Sequence, residues 1–543
     1  MGKHTPRMAR REFLAALGAE AGGAAMLRVM SALGIATPLA ACSSSSADTA
    51  TTAPPAAPAP TPVGRFSTAR PGDWDANAGV GRTVVILGAG IAGMTAAYEM
   101  QRLGFDCTVL EAQAAAGGRV KTLRRGDVVT EAGATQTCQF DAGDSLYFNA
   151  GPSRIAQHHE LLLGYCSEFG VALETFTNAN HGAWLHSPAS FGGEPQVARR
   201  LIADTRGNIA RLLATAINQN ALDQELTAAD RSAIVQLLGQ FGDLGQDSGY
   251  GGSARAGFPG QMDAGSRRRG ESLSPRQLQR LATDVFWELR LSFSQGFEQQ
   301  PTMLQPVGGM DRIASAFEAR VQNDLRYEAT VTEIRKTAAG VRVAYTDRFG
   351  APAAVEADFC IVTIPASVLR GIASDFSAGH QAEIDTFNYT AAVRVAFQSR
   401  RFWEQDHNIY GGISWTNQEI TQVWYPNYGF GSDSGIVLGA YIFDGPAGTR
   451  FSDLSPAQRI DATLAQASAL HPQFQGEALH GIGVAWRNMP FALGGWGTSS
   501  PGVLLTPDDR IVFAGEHLSI LQGWQEGAIL SAYQAIDTIV QLG

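Results

Sequence analysis

The sequence predicts an α/β (α+β) fold, with one domain on a parallel sheet, a second on a mixed sheet, and a helical insertion. Three observations carry that reading. The run Val84-Val85-Ile86-Leu87-Gly88-Ala89-Gly90-Ile91-Ala92-Gly93 is a buried strand, a glycine turn and the start of a helix, and Asp106-Cys107-Thr108-Val109-Leu110-Glu111 follows as a second strand. Helical periodicity then dominates 201–213, 228–238 and 275–293, with a glycine-rich, charged loop expected over 242–270. From residue 321 the pattern turns to β, with strands expected over 329–334, 341–345, 359–364 and 511–515, strand-like character over 389–444, and a closing helix over 527–542. At 543 residues the chain exceeds one simple core, so two or three lobes are expected.

Residues 1–41 read as an address. Arg10-Arg11-Glu12-Phe13-Leu14 resembles a twin-arginine export signal of bacteria, and the apolar stretch after it, broken by Glu20 and Arg28, is too polar to span a membrane. Leu39-Ala40-Ala41-Cys42 resembles a lipoprotein cleavage box with Cys42 as the lipidated residue, and 42–81, rich in Ser, Thr, Ala and Pro, is expected to be a disordered tether. The expectation is export by the twin-arginine route to a periplasmic or extracytoplasmic face, with the membrane engaged through the lipid alone.

In the strand–turn–helix run, Gly88 allows the tight turn, Gly90 lets the backbone approach a pyrophosphate, and Gly93 lets helix and strand pack closely. The helix N-terminus then offers free N–H groups and a positive dipole end to phosphate. Glu111, ending the second strand, is placed to accept hydrogen bonds from a ribose. The segment 131–180 holds a Gly/Asn turn cluster and a helix-like stretch over 156–169. The chain is 17% charged with a net charge of −10, or −13 once residues 1–41 (five Lys/Arg, two Asp/Glu) are removed. Arg267-Arg268-Arg269 stands alone, so no basic surface suggests nucleic acid. Cys42, Cys107, Cys138, Cys166 and Cys360 show no metal-ligand spacing, and neither metal nor disulfide is expected. His158 and His159, at helix-compatible spacing after Arg154, are read as solvated or capping residues, or as lining an entrance, with no catalytic role.

More motifs accompany the glycine turn: Gly117-Gly118-Arg119-Val120, Gly308-Gly309-Met310-Asp311-Arg312, Val331-Thr332-Glu333-Ile334, Phe513-Ala514-Gly515-Glu516-His517 and Gly523-Trp524-Gln525-Glu526-Gly527-Ala528. With these in order, nearly all of 82–543 resembles the flavin amine oxidase superfamily, most of all its bacterial FAD-dependent L-amino acid oxidases. The resemblance implies a Rossmann-like FAD-binding domain from 82–130, 301–364 and 505–543, a substrate-binding domain from 131–180 and 365–504, and the helical insertion at 181–300. It assigns FAD to Gly88, Gly90, Gly93, Glu111, Gly118, Arg119, Val331, Gly515, Glu516, Gly523 and Trp524.

Within Asn149-Ala150-Gly151-Pro152-Ser153-Arg154-Ile155, Arg154 resembles the family's arginine that clamps a substrate carboxylate, which a guanidinium meets with two parallel N–H donors. Tyr425 matches the tyrosine supporting that carboxylate, and Trp524 a wall near flavin and amine. Where the family places a lysine near flavin N5, this chain has Arg394, which bears on the electron acceptor. The implied reaction is oxidation of an L-amino acid to 2-oxo acid, ammonia and hydrogen peroxide by hydride transfer from Cα–H to flavin N5. Alternatives are a quinone-linked amino acid dehydrogenase, an amine or polyamine oxidase of the same fold, and a flavin-binding protein without turnover. The partners implied are a small amino acid or amine, O2 or a quinone, and a second copy in a homodimer.

Overall fold

The computed structural model describes residues 70–222, 225–258, 272–282, 286–443 and 445–542; the export signal and Cys42 lie outside them. The described residues divide into two compact units, the smaller made by 189–191 and 196–295 and the larger by the rest. No described helix is long and apolar enough to cross a membrane.

In the larger unit, five parallel strands lie in the order Leu325–Arg326, Asp106–Leu110, Thr83–Leu87, Phe359–Val362 and Ile511–Phe513. The central strand alternates: Val84 and Ile86 enter one core, Val85 and Leu87 another. Burial on both faces explains the unbroken apolar run. The first core is closed by the helices Ile91–Arg102, Asp311–Val321 and Gln525–Leu542 through residues such as Met94, Phe317 and Ile536. The second is closed by the antiparallel strands Thr330–Lys336, Val341–Thr346 and Pro352–Ala357. Leu87 is paired with Leu110 and Val362, and Val362 with Phe513, so these strands end at one edge. Ligands of open α/β sheets sit beyond that carboxyl edge.

The larger unit's second sheet runs Ala478–Ala485, Val393–Arg400, Ser434–Ile442, Gln422–Tyr425, Gly412–Thr416 and Trp184–His186. Its core side packs Val393, Val395, Val423, Tyr425, Ala440 and Ile442 against Phe402, Trp403, Phe451 and Phe474. The residues interleaved with these, Arg394, Trp424 and Tyr441, point to the other face.

The smaller unit contains the helices Ala198–Asn218 and Ala228–Gly242, packed through Ala210, Ala214, Ile217 and Leu238. Thr227 and Asp230 form a capping box at the second helix. Within 275–293, Leu278–Ala282 and Phe286–Leu291 are helical.

Two expected boundaries move. Residues 70–81 are folded turns rather than tether: Trp74 is buried edge-on against Tyr533 and its Nε1 donates to Asp537 Oδ1 at 3.2 Å. The run is rich in turn formers, and one buried indole is enough to dock it. The insertion is also shorter than 181–300, because Trp184–His186 is a strand of the second sheet and 296–300 belongs to the larger unit. The four described cysteines are buried and free; burial pushes the Cys166 thiol up to about 12.

Candidate active site

A cavity of about 730 Å³ opens along the carboxyl edge of the parallel sheet and extends to the second sheet. One end is made by the glycine turn. Gly88 has φ +104°, where a side chain would be strained, and it leads to Gly90, the N-cap of the helix Ile91–Arg102. A Cβ on Gly90 would meet nothing within 4 Å, whereas one on Gly93 would collide with the Gly88 carbonyl oxygen. The first glycine thus shapes the turn, the second leaves room beside it, and the third permits the packing.

Glu111 lies on the cavity, 5% exposed, its carboxylate accepting from Ala89 N and Gln113 N, both at 2.8 Å. Burial raises its pKa, and the backbone donors pull it back down. A carboxylate has about four lone-pair sites, so it retains capacity for hydroxyl donors. Val331 also lines this end, at a β-bulge before Glu333.

The opposite wall joins three distant segments. Gly118 has φ +55°, and Arg119 after it reaches Glu516 at 2.6 Å and the Gly495 carbonyl at 2.8 Å. Glu516 also accepts from Gly497 N at 3.2 Å and Gly523 N at 2.9 Å, so one carboxylate gathers the C-terminal turns. Gly515 and Gly523 have φ +145° and +80°, and Trp524 follows at the mouth of the helix Gln525–Leu542. Gly118, Arg119, Gly495, Gly515, Glu516, Gly523 and Trp524 lie on the cavity, and Lys121, unmentioned by any motif, lies there too, its ammonium pKa lowered by burial.

The open space at Gly90, the buried acceptor Glu111 and the helix N-terminus fit a dinucleotide such as FAD. Gly93 takes part by packing alone and does not line the cavity.

The second sheet supplies the rest. Arg394 and Tyr441 are register partners on neighbouring strands and both line the cavity, the guanidinium carbon 4.0 Å from the phenol ring centroid. Arg394 Nη1 donates to the Asn149 carbonyl at 2.8 Å and to Ser153 Oγ, which ties it to the loop carrying Arg154. Arg154 does not line the cavity itself. Its guanidinium lies 4.7 Å from the Trp424 ring centroid and 5.7 Å from that of Trp524, while Arg394 lies 5.2 Å from Trp424. Arg154 Nη2 donates to Gln299 Oε1 at 2.8 Å, and its buried Nε has no partner. Neither arginine is ion-paired with a described carboxylate. Burial lowers both, Arg154 to about 10, where the nearby charge of Arg394 adds to the effect and Tyr441 opposes it. Both remain cations at neutral pH.

Tyr425 is not in this group. It is 2% exposed on the core side of its strand, its hydroxyl bonded to Ser414 Oγ at 2.7 Å and His471 Nε2 at 2.5 Å. Its neighbour Trp424 takes the position expected of it, because successive strand residues face opposite sides. Tyr441 supplies the phenol on the cavity. Period-two alternation over 434–442 was the signal that could have found it.

Glu526, in the closing helix, accepts from Leu161 N at 3.0 Å and Leu162 N at 2.8 Å, the first free donors of the helix Glu160–Phe169. This contact fixes Trp524 beside His159, ring centroids 4.8 Å apart and nearly perpendicular.

Comparison with known proteins agrees with this architecture. Residues 91–540 match the family described as flavin containing amine oxidoreductase. The flavin-dependent L-tryptophan oxidase of Lentzea aerocolonigenes is 27% identical over 490 residues, covering 84% of this chain and 98% of that protein. The L-amino-acid oxidase of Gloydius blomhoffii is 26% identical over 493 residues, covering 83% and 88%. The structure of cyclohexylamine oxidase from Brevibacterium oxydans superposes with a TM-score of 0.55 at 15% identity, covering 85% of this chain and 99% of that one. The chain belongs to the family of flavin-containing amine oxidoreductases, and is an FAD-dependent enzyme acting on CH–NH2 groups.

Proposed function

We propose that the protein oxidatively deaminates an L-amino acid to the 2-oxo acid, ammonia and hydrogen peroxide. One observation carries this reading: Arg154 and Arg394 both pack on the Trp424 ring, neither is ion-paired with a described carboxylate, and a buried Nε of Arg154 has no acceptor. Two desolvated cations are costly side by side, and a planar carboxylate would satisfy both through parallel N–H donors. An amine lacking a carboxylate would leave that cost in place. Both relatives above are named as oxidases of L-amino acids, which supports the same choice.

In this reading FAD, held by the glycine turn, Glu111, Arg119 and the C-terminal turns, supplies the two-electron acceptor. The chain's own work is placement. The arginine pair anchors the carboxylate, Trp424 and Trp524 keep water from it, and the Cα–H is presented in one orientation. Tyr441 stacks under Arg394 and holds it on the wall. The N-terminal address supports a body kept outside the cytoplasm by lipid on Cys42.

The test is anaerobic mixing of the flavin-loaded protein with each L-amino acid and with the corresponding decarboxylated amine. Amino acids are expected to bleach the oxidised flavin absorbance while the amines leave it unchanged, and air is expected to restore it with one peroxide per turnover. Bleaching by amines alone overturns the reading. Arg154→Ala is expected to raise KM for amino acids roughly tenfold or more, the loss of a charged hydrogen bond, with flavin content unchanged.

A further inference from the structure

We propose that His158, His159 and Glu298 form a binding site for one zinc-type divalent transition-metal ion beside the arginine pair. Among the described residues this is the one group of three or more His, Cys, Asp or Glu side chains whose ligand atoms lie within 4.8 Å of one another. The function proposed above uses none of the three.

Local chain geometry builds the trio. His159 is the N-cap of the helix Glu160–Phe169 and His158 precedes it; Glu298 sits in the short helical turn Phe297–Gln299. Glu298 Oε1 is 3.1 Å from His158 Nε2, and Oε2 is 3.4 Å from His159 Nε2. Ligands about 2.0–2.1 Å from a tetrahedral ion stand about 3.3–3.4 Å apart, and each imidazole already stands at about that spacing from one oxygen of the carboxylate. The two imidazoles are nearly perpendicular, with centroids 4.8 Å apart, and the remaining edge is no longer than 4.8 Å.

The surroundings aim both rings at one carboxylate. His159 is fully buried, and Nδ1 of each ring is buried without a partner, so both rings are oriented through Nε2 alone, toward the shared carboxylate. Two imidazoles and one carboxylate suit zinc and its transition-metal neighbours better than magnesium or calcium, which select oxygen ligands.

An ion there has a definite consequence. Gln299, next to Glu298, accepts from Arg154, and the Gln299 carbonyl accepts from Asn178 Nδ2 at 2.6 Å. Pinning Glu298 to the start of the helix therefore fixes the turn on which Arg154 leans. His159 also abuts Trp524, so the ion would stiffen both the clamp and the aromatic wall.

The experiment takes the flavin-loaded protein, strips it with a chelator, equilibrates it with zinc alone, desalts it and measures zinc per flavin by elemental analysis. One zinc per chain is expected, lost in His158→Ala and in Glu298→Gln while flavin content and thermal stability without metal hold. These two side chains are part-exposed and can be replaced without opening the buried His159 site. No retained zinc in the unaltered protein, or equal retention in both variants, overturns the proposal; a trio that takes up protons alone gives that first result. The stoichiometry is independent of the substrate reading. A second measurement rests on it: with zinc bound, KM for amino acids should fall, and it should not move in Glu298→Gln. Zinc bound by a protein whose flavin no amino acid reduces would leave the metal site standing and remove the substrate reading.

Discussion

Trp424 and Tyr425 are neighbours on one strand with opposite tasks. Trp424 packs against two guanidiniums on one side of the sheet, and Tyr425 closes a hydrogen-bonded group with Ser414 and His471 inside the core on the other. Tyr425→Phe is therefore expected to leave KM for amino acids unchanged and to cost about 1–3 kcal/mol of stability, the price of leaving two buried partners short of a bond. Trp424→Leu should do the reverse, raising KM severalfold because both arginines lose the ring they pack on. Steady-state kinetics and thermal melting on the two variants separate the roles; a KM defect in Tyr425→Phe would put that residue back at the substrate. Arg154, Arg394 and Trp524 were legible because unusual residue types sit in distinctive local strings. The parity of Trp424 and Tyr425 was not, since it depends on which strand face meets the cavity, a property of sheet packing rather than of the string. Glu298 and Gln299 were invisible for a different reason: they reach Arg154, His158 and His159 across about 140 residues of chain.

At the scale of an element, the strand–turn–helix unit was fully legible, because its three glycines and its acid obey local rules that need no partner. The structure separates what each glycine does. A Cβ on Gly90 meets open space at an ordinary backbone conformation (φ −75°, ψ 179°), so the fold tolerates alanine there. A Cβ on Gly93 meets the Gly88 carbonyl, so strand and helix must part. Gly90→Ala is expected to yield a folded protein with native circular dichroism that retains little flavin, because the added methyl stands where the pyrophosphate approaches. Gly93→Ala is expected to lose the fold and the flavin together. Full flavin content in a folded Gly90→Ala protein would show that the turn is structural only. The closing helix was also legible in outline, expected over 527–542 and found at Gln525–Leu542. Its contact with the start of another helix, Glu526 accepting from Leu161 N and Leu162 N, was not, because capping across about 365 residues leaves no local trace.

Over the whole molecule, the parallel sheet draws strands from 83–110, 325–326, 359–362 and 511–513, and the order of motifs along the chain was enough to foresee that assembly. The second sheet was foreseen as a mixed sheet, but its strand Trp184–His186 was not, because it joins by parallel pairing with Trp415 and Thr416, far along the chain. Folding these distant segments together buries imidazoles that no single segment would bury. Desolvation pushes His159 and His471 down to about 3 and His517 to about 4, from an ordinary value of 6.5. A group with a depressed folded pKa stabilises the native state above its unfolded pKa, and that contribution is lost as pH falls, since the unfolded chain takes the proton first. The loss starts near pH 6.5 and grows until pH reaches the folded values. Raised carboxylates act in the opposite sense: burial lifts Glu99, Glu111 and Glu526, which favour the native state as pH falls. The net slope therefore mixes both, and a difference between proteins isolates one histidine. In His471→Gln the carboxylates are untouched, and the drop in Tm between pH 6.5 and pH 4 is expected to be smaller than in the unaltered protein, although the variant starts lower at pH 7.5 for want of its bond to Tyr425. Parallel Tm curves for the two proteins across that window would show that His471 takes up its proton as readily folded as unfolded, and the acid sensitivity of this fold would then have to come from elsewhere.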